Sequence, residues 1–195
     1  MSAPFITDDE IRKLLVYPLE SGLDWRAHGI GFMKAYLNPE KTWRINVYHE
    51  MLRVPGISIM HDHPWGLQSH VRAGQLTNMR WHRANKKSQG AVSFNEGRIN
   101  CAKYAGLEGT PQIVSLVKER REIYHASGFY QQNPEEIHET IAINGTVTLL
   151  ERIPTHSDGF AHIFWPVGEE YGDATRNLSD DEVYAVAASA LRTMG

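Results

Sequence analysis

Thiols are nearly missing from this 195-residue chain. Cys101 is the only cysteine, so no internal disulfide forms and nothing points to an oxidising compartment. A lone cysteine of this kind reads as a small packed residue. Long apolar runs are missing too, and Asp8, Asp9 and Glu10 come before any apolar stretch, unlike a signal peptide. Cytoplasmic residence is therefore expected, with no membrane partner. Neither a basic stripe nor an acidic tail accompanies the net charge of -3, so nucleic acid has no electrostatic footprint. Phosphate-loop and dinucleotide glycine fingerprints are absent, as is a Gly-X-Ser-X-Gly nucleophile elbow. His156-Ser157-Asp158 are neighbours in one stretch, which does not make triad geometry. These absences leave a small-molecule substrate as the expected partner, with a homodimer left open as the assembly.

What is present suits one globular domain spanning residues 1–195. Hydrophobic residues make up 42%, enough to bury a sizeable core at this length. Thr7-Asp8-Asp9-Glu10 and Ser179-Asp180-Asp181-Glu182 read as capping boxes opening helices over about 8–16 and 180–192. Ile11, Leu14 and Leu15 share a face of the first, which Pro18 stops; Val183, Val186, Ala187 and Ala190 stripe the second. Between them the period is two. Trp43 to Tyr48, Ile57 to Met60, Leu67 to Arg72, Leu76 to Trp81, Ile113 to Val117, Arg121 to His125 and Thr146 to Ile153 are short strand-like runs broken by Gly, Pro and Asn. An all-β sandwich or barrel follows, with its core over about 43–166. Arg83 to Gly109, rich in Lys, Asn, Ser and Gly with brief strand signals near Val92 and Ile99, reads as an insertion or lid-like hairpin.

The most informative stretch is His61-Asp62-His63-Pro64-Trp65. Residues two apart on a strand share a face, so His61 and His63 offer two imidazoles to one point while Asp62 faces away. Imidazole ligates zinc, iron, copper and nickel, with nitrogens at about 2.0–2.1 Å for zinc. The competing interpretation is two ordinary polar residues at a strand end. A 2-oxoglutarate oxygenase would want His-X-Asp or His-X-Glu on the metal, and Asp62 is on the wrong face for that.

These residues resemble the first motif of the cupin superfamily: Gly56, the run Ile57 to Met60, His61-Asp62-His63, then Gln68 where that family has a glutamate, then Gly74. Gly128, Phe129 to Asn133, Pro134 and His138 resemble the second motif, with Glu136 in place of a usual glycine and Ala142 in place of the asparagine. The resemblance spans roughly Trp43 to Pro166 and implies a double-stranded β-helix, or jelly-roll barrel. Within the superfamily, His61-Asp62-His63-Pro64, Gly74 and the run from His138 through Thr146 to Ile153 and Pro154 are similar to thiol dioxygenases of the cysteamine dioxygenase and plant cysteine oxidase kind. His-Asp-His-Pro-Trp is also similar to small cupins of unassigned function. The thiol dioxygenase resemblance implies iron(II) held by His61, His63 and His138.

Three neutral imidazoles leave the ion's charge uncompensated and coordination positions open, which favours an anionic substrate such as a thiolate or carboxylate. The same ligands suit zinc, manganese or nickel, and zinc would acidify a bound water instead. Gln68 is expected in the pocket, on the metal or hydrogen-bonded to substrate. Alternation from it brings His70 to the same face if no bulge intervenes; His70 is then an acid/base residue or one bonded to the barrel wall. Arg44, Asn46 and Tyr48 share one face of an earlier strand. If that face lines the cavity, Arg44 clamps a carboxylate or phosphate; if it faces solvent, the trio is an ordinary exposed face. Tyr130 and Trp65 supply an aromatic wall and a phenol. Trp81, Phe160, Phe164 and Trp165 read as packing residues, and His28, His49, His82, His125, His156 and His162 as surface or hydrogen-bonded structural histidines.

Three functions fit: an iron(II) oxygenase of a small anionic substrate, a thiol if the resemblance extends to it; a sugar or sugar-nucleotide isomerase or epimerase using His63 or His70 as base and Tyr130 as acid; and a non-catalytic ligand-binding module.

Overall fold

In the computed structural model, which describes residues 6–55, 57–101, 106–155, 159–172 and 175–195, helices α1 (Asp8–Val16) and α2 (Asp180–Thr193) bracket thirteen strands. These are β1 (Arg26–His28), β2 (Ile30–Tyr36), β3 (Trp43–Arg53), β4 (Met60–His61), β5 (Gly66–Ala73), β6 (Gln75–Arg83), β7 (Val92–Asn100), β8 (Leu107–His125), β9 (Phe129–Gln132), β10 (Ile137–Ala142), β11 (Val147–Ile153), β12 (Phe160–Pro166) and β13 (Thr175–Asn177). His156 and the rest of that His-Ser-Asp run lie outside the described residues, as does Gly56.

Both helices begin where the capping boxes predict. Thr7 and Ser179 accept from the backbone N–H of Glu10 and Glu182, whose carboxylates return to the cap N–H groups. That reciprocal bonding satisfies donors that an open helix end leaves without partners. No helix among the described residues is long and apolar enough to cross a membrane.

Two antiparallel sheets carry the rest. One has seven strands in the order β13-β1-β2-β3-β11-β5-β9; the other closes on itself as β10-β4-β12-β7-β8-β6. Three cores result. The helices cover one face of the seven-stranded sheet, burying Ile11, Leu15, Val183 and Val186 against Met33, Ile45, Val47 and Val147. On that sheet's other face, Phe32, Tyr48, Leu67, Val71, Tyr130 and Leu150 cluster with Leu76 of β6. Inside the closed barrel, Met60, Trp81, Phe94, Leu116, Ile137 and Phe164 pack together, one from each of its six strands. β3 is thus buried on both faces, Ile45 and Val47 under the helices and Arg44, Asn46 and Tyr48 toward the second sheet.

Three expectations need correction. The 83–109 segment is no appended lid: β7 pairs with β12 and β8, closing the six-stranded barrel. Ile113–Val117 and Arg121–His125 are one strand, because a bulge opposite Arg80 and Trp81 absorbs Glu119 while Lys118 and Arg120 stay paired. Of Ile57–Met60, only Met60 enters a strand.

Gly74 makes the turn between β5 and β6 at φ +76°, where a side chain is strained. A Cβ there would sit 2.5 Å from Thr146 Oγ1 and 2.9 Å from its Cα, and the latter cannot rotate away. Gly74→Ala is expected to destabilise the fold by at least about 1 kcal/mol, read as a lower denaturant midpoint with unchanged slope. An unaltered midpoint would show that the turn relaxes freely.

Candidate metal centre

β4 is only two residues long, yet it is held on both sides. His61 pairs with His138 of β10 and with Ile163 of β12. Directly opposed residues project to one face, so this register alone sets two imidazoles side by side, ring centroids 4.4 Å apart. Beyond His61 the chain leaves the strand, and two ties steer it. The Asp62 N–H donates to the His162 carbonyl at 3.0 Å. Its buried carboxylate accepts the His162 N–H at 2.6 Å and contacts the ring Nδ1 at 2.8 Å. With Asp62 fixed on the far side, His63 returns to the His61 side, where its carbonyl accepts the Glu135 N–H at 2.8 Å. His63 lies 4.7 Å from His61 and 5.1 Å from His138 by ring centroid. One ligand atom from each of the three lies within 4.8 Å of the others.

Their chemistry fits a metal ion. The Nδ1 atoms of His61 and His138 each sit 3.1 Å from a backbone carbonyl, of Ile59 and Glu136 respectively. An N–H donated there fixes the tautomer and directs the Nε2 lone pair to the cluster. Burial holds all three imidazoles below the usual histidine pKa, His63 and His138 well below it, and neighbouring histidines push those two further. Neutral imidazole is the ligating form. His63 is braced by Trp65, stacked on it at 4.1 Å and 17°.

Facing the histidines is the inward surface of the seven-stranded sheet. Arg44 is 8% exposed, its guanidinium 5.7 Å from the Phe32 ring and 5.8 Å from that of Trp65. Its Nε has no partner among the described residues. Burial raises the pKa of the Tyr130 and Tyr48 hydroxyls, so both stay protonated. Tyr130 stands opposite Ser69 in the β5–β9 ladder, while Tyr48 lies in the apolar floor with Phe32 and Leu150. Buried polar atoms without partners concentrate on this surface and its counterpart: His28 Nδ1, Arg44 Nε, Asn46 Oδ1, Ser69 Oγ, both Asn78 amide atoms and Gln132 Nε2. Trp81 Nε1, at the core of the closed barrel, is the exception. Unpaired buried polar groups are rare in folded proteins, and a polar small molecule would satisfy a set gathered this way.

The structure brings His61, His63, His138, Arg44, Trp65 and Tyr130 to one place. Gln68 and His70 are not among them. In β5 it is Leu67, Ser69 and Val71 that turn inward; His70 instead packs at 5.2 Å on Phe129, itself 46% exposed, and Arg72 pairs with Asp8 of α1. The expected metal-side amide and base therefore lie on the outer face. Lys34, Arg152 and His28 face inward and were not anticipated: β1 and β2, which carry His28 and Lys34, were not read as strands, and the run holding Arg152 was read as a strand without assigning its faces. The signal existed: Phe32, Lys34 and Tyr36 alternate with Met33 and Ala35, which join the helix-side core. His162 is the hydrogen-bonded structural histidine expected. Two clefts of about 230 and 320 Å3 open elsewhere and contain none of the three histidines; the convergent donors, not those clefts, locate the chemistry.

No protein-family model matches the chain, and no curated protein does either.

Replacing His61, His63 or His138 by Ala removes one of three donors, and each variant is expected to lose metal affinity by about tenfold or more, measured by elemental analysis after gel filtration. Full metal content in all three variants would remove them as ligands. The lowered histidine pKa values also set a pH dependence for the metal-free protein. Below about pH 6.5 the unfolded chain binds protons that the buried imidazoles refuse, so acid favours unfolding. Stability should be full above that value and fall as pH drops below it. His138→Ala should flatten the slope of melting temperature against pH; an identical slope would place the titration elsewhere.

Proposed function

We propose that the chain is a metal-dependent oxygenase of the cupin jelly-roll kind, acting on a small anionic substrate with iron(II) held by His61, His63 and His138. The observation carrying it is the convergence of three neutral imidazoles beside a buried arginine that has no acidic partner among the described residues. Zinc, manganese and nickel suit the same donors; iron is chosen on the likeness of His61-Asp62-His63-Pro64 to the thiol dioxygenases. Iron(II) there would supply redox and oxygen chemistry to a thiolate or carboxylate coordinated beside it.

The chain's own side chains do the rest. Arg44 presents an always-charged fork to the substrate's anionic group, in surroundings where little water screens it. Trp65 braces His63 and forms an apolar wall. Tyr130, kept protonated by burial, donates a hydrogen bond instead of taking a proton. Leu67, Val71 and Leu150 close the floor against water. The isomerase reading is weaker: His70 faces outward, and His63, its other base, is committed to the ligand cluster.

Protein loaded anaerobically with iron(II) is expected to consume oxygen only when a coordinating substrate is added, because three neutral imidazoles would leave the ion's charge to be compensated by an anionic substrate. An oxygen electrode and a panel of small thiols, amino thiols, hydroxy acids and catechol-like diols test this, and the uptake should vanish in His138→Ala. Silence across the panel at full iron occupancy, together with turnover of a sugar phosphate by zinc-loaded or metal-free protein, would replace the oxygenase with the isomerase.

A further inference from the structure

Arg44 does not stand alone. On the inward face of the seven-stranded sheet, Lys34 of β2 lies beside Asn46, one diagonal step from Arg44 of β3. Arg44 pairs with Leu150 of β11, and Arg152 lies one diagonal step further on. Diagonal neighbours in a sheet are about 7–8 Å apart, within reach of long side chains. The Arg152 guanidinium sits 4.6 Å from the centroid of the Trp65 ring that Arg44 also flanks, so both converge on the residue bracing His63. No ion pair joins Lys34, Arg44 or Arg152 to an acidic group among the described residues. Their mutual repulsion is felt: burial, then Arg44 and Arg152, bring the Lys34 ammonium down to about 7.

Two guanidiniums and an ammonium held at the edge of losing its proton, with no counter-charge among the described residues, cost the fold stability. Arg80 gives the contrast. Arg80, equally buried, is bonded to Glu122 at 2.7 Å, to Glu136, and to the Gln131 carbonyl at 2.8 Å. The contrast shows that an arginine here is neutralised where its role is structural.

We infer that Lys34, Arg44 and Arg152 form a subsite for a phosphate group of the substrate, separate from the donor group that meets the metal ion. This rests on the histidine cluster being a small-molecule site, and not on its oxygen chemistry. A single carboxylate would answer one guanidinium and leave two cations unpaired. A phosphate monoester brings close to two negative charges and three acceptor oxygens, one for each cation, and its planes of oxygens suit the guanidinium fork. The substrate is then a small phosphorylated compound whose other end reaches the histidines past Trp65.

Calorimetric titration of metal-free protein with inorganic phosphate, acetate and malonate tests the subsite without any turnover. Phosphate is expected to bind about tenfold or more tightly than either carboxylate probe, and Lys34→Met and Arg152→Met should each weaken it by about tenfold. Because each variant relieves repulsion, its melting temperature without phosphate should stay level or rise, which separates a lost subsite from a damaged fold. Lys34→Arg keeps the charge and should keep phosphate binding. Acetate or malonate binding as tightly as phosphate, or phosphate binding unchanged in both Met variants, overturns the assignment. Phosphate binding by a protein that is silent in the oxygen test and turns over a sugar phosphate would leave the subsite standing while removing the oxygenase, and oxygen uptake without phosphate binding would do the reverse.

Discussion

The register between β4 and β10 is the constraint on which the site depends. His61 and His138 lie far apart in the chain and meet because they are paired residues of one antiparallel ladder. A slip of β4 by one residue would send the His61 imidazole into the closed barrel's apolar core, where Met60 now sits, while β6 kept His138 in place. That core therefore does more than stabilise. Met60, Ile137 and Phe164 occupy the alternate positions, so their packing holds the register that turns the histidines the other way. Asp62 completes the arrangement by bonding to His162 on the barrel side, which lets His63 return toward His61 outside regular strand geometry.

Charge placement divides the same interior into two regions. Around Arg80, two carboxylates and a carbonyl account for the guanidinium, as expected for a buried ion that holds strands together. Around Arg44, aromatic rings replace carboxylates, and an unpaired Nε remains. Aromatic faces attract a cation without neutralising it, so the positive potential persists into the space before the histidines. It disfavours protonation of the imidazoles and favours anions by the same field. Both effects would suit a metal ion that shared its coordination with an anionic ligand.

Much of this was legible in the amino-acid pattern, for local reasons. The helices announced themselves because capping boxes are contiguous signals, and Thr7 and Ser179 sit where those signals put them. His61 and His63 were readable because a two-residue spacing carries its geometry with it. His138 depended on a resemblance, since ladder pairing across long separations leaves no local trace. β8 misled because Lys118 to Arg121 resemble a break, and only its partner strand reveals that pairing continues through a bulge.

The misplacement of Gln68 and His70 is the more instructive failure. Leu67, Ser69 and Val71 alternate with Gln68, His70 and Arg72, the ordinary pattern of a strand with one polar face outward. Expectation of a glutamate-like ligand overrode that pattern, and the strand obeys the pattern. Arg44, Asn46 and Tyr48 behave in the opposite way: their polar face points inward because helices already claim Ile45 and Val47. Periodicity alone cannot distinguish those two strands. What distinguishes them is which face another element must cover, and for β3 the amphipathic stripe of α2 decides it. A polar strand face turned inward in this manner carries a desolvation cost that the fold alone does not repay. Its persistence in Arg44 and Asn46, opposite three convergent imidazoles, is the physical argument that this interior exists to hold something other than itself.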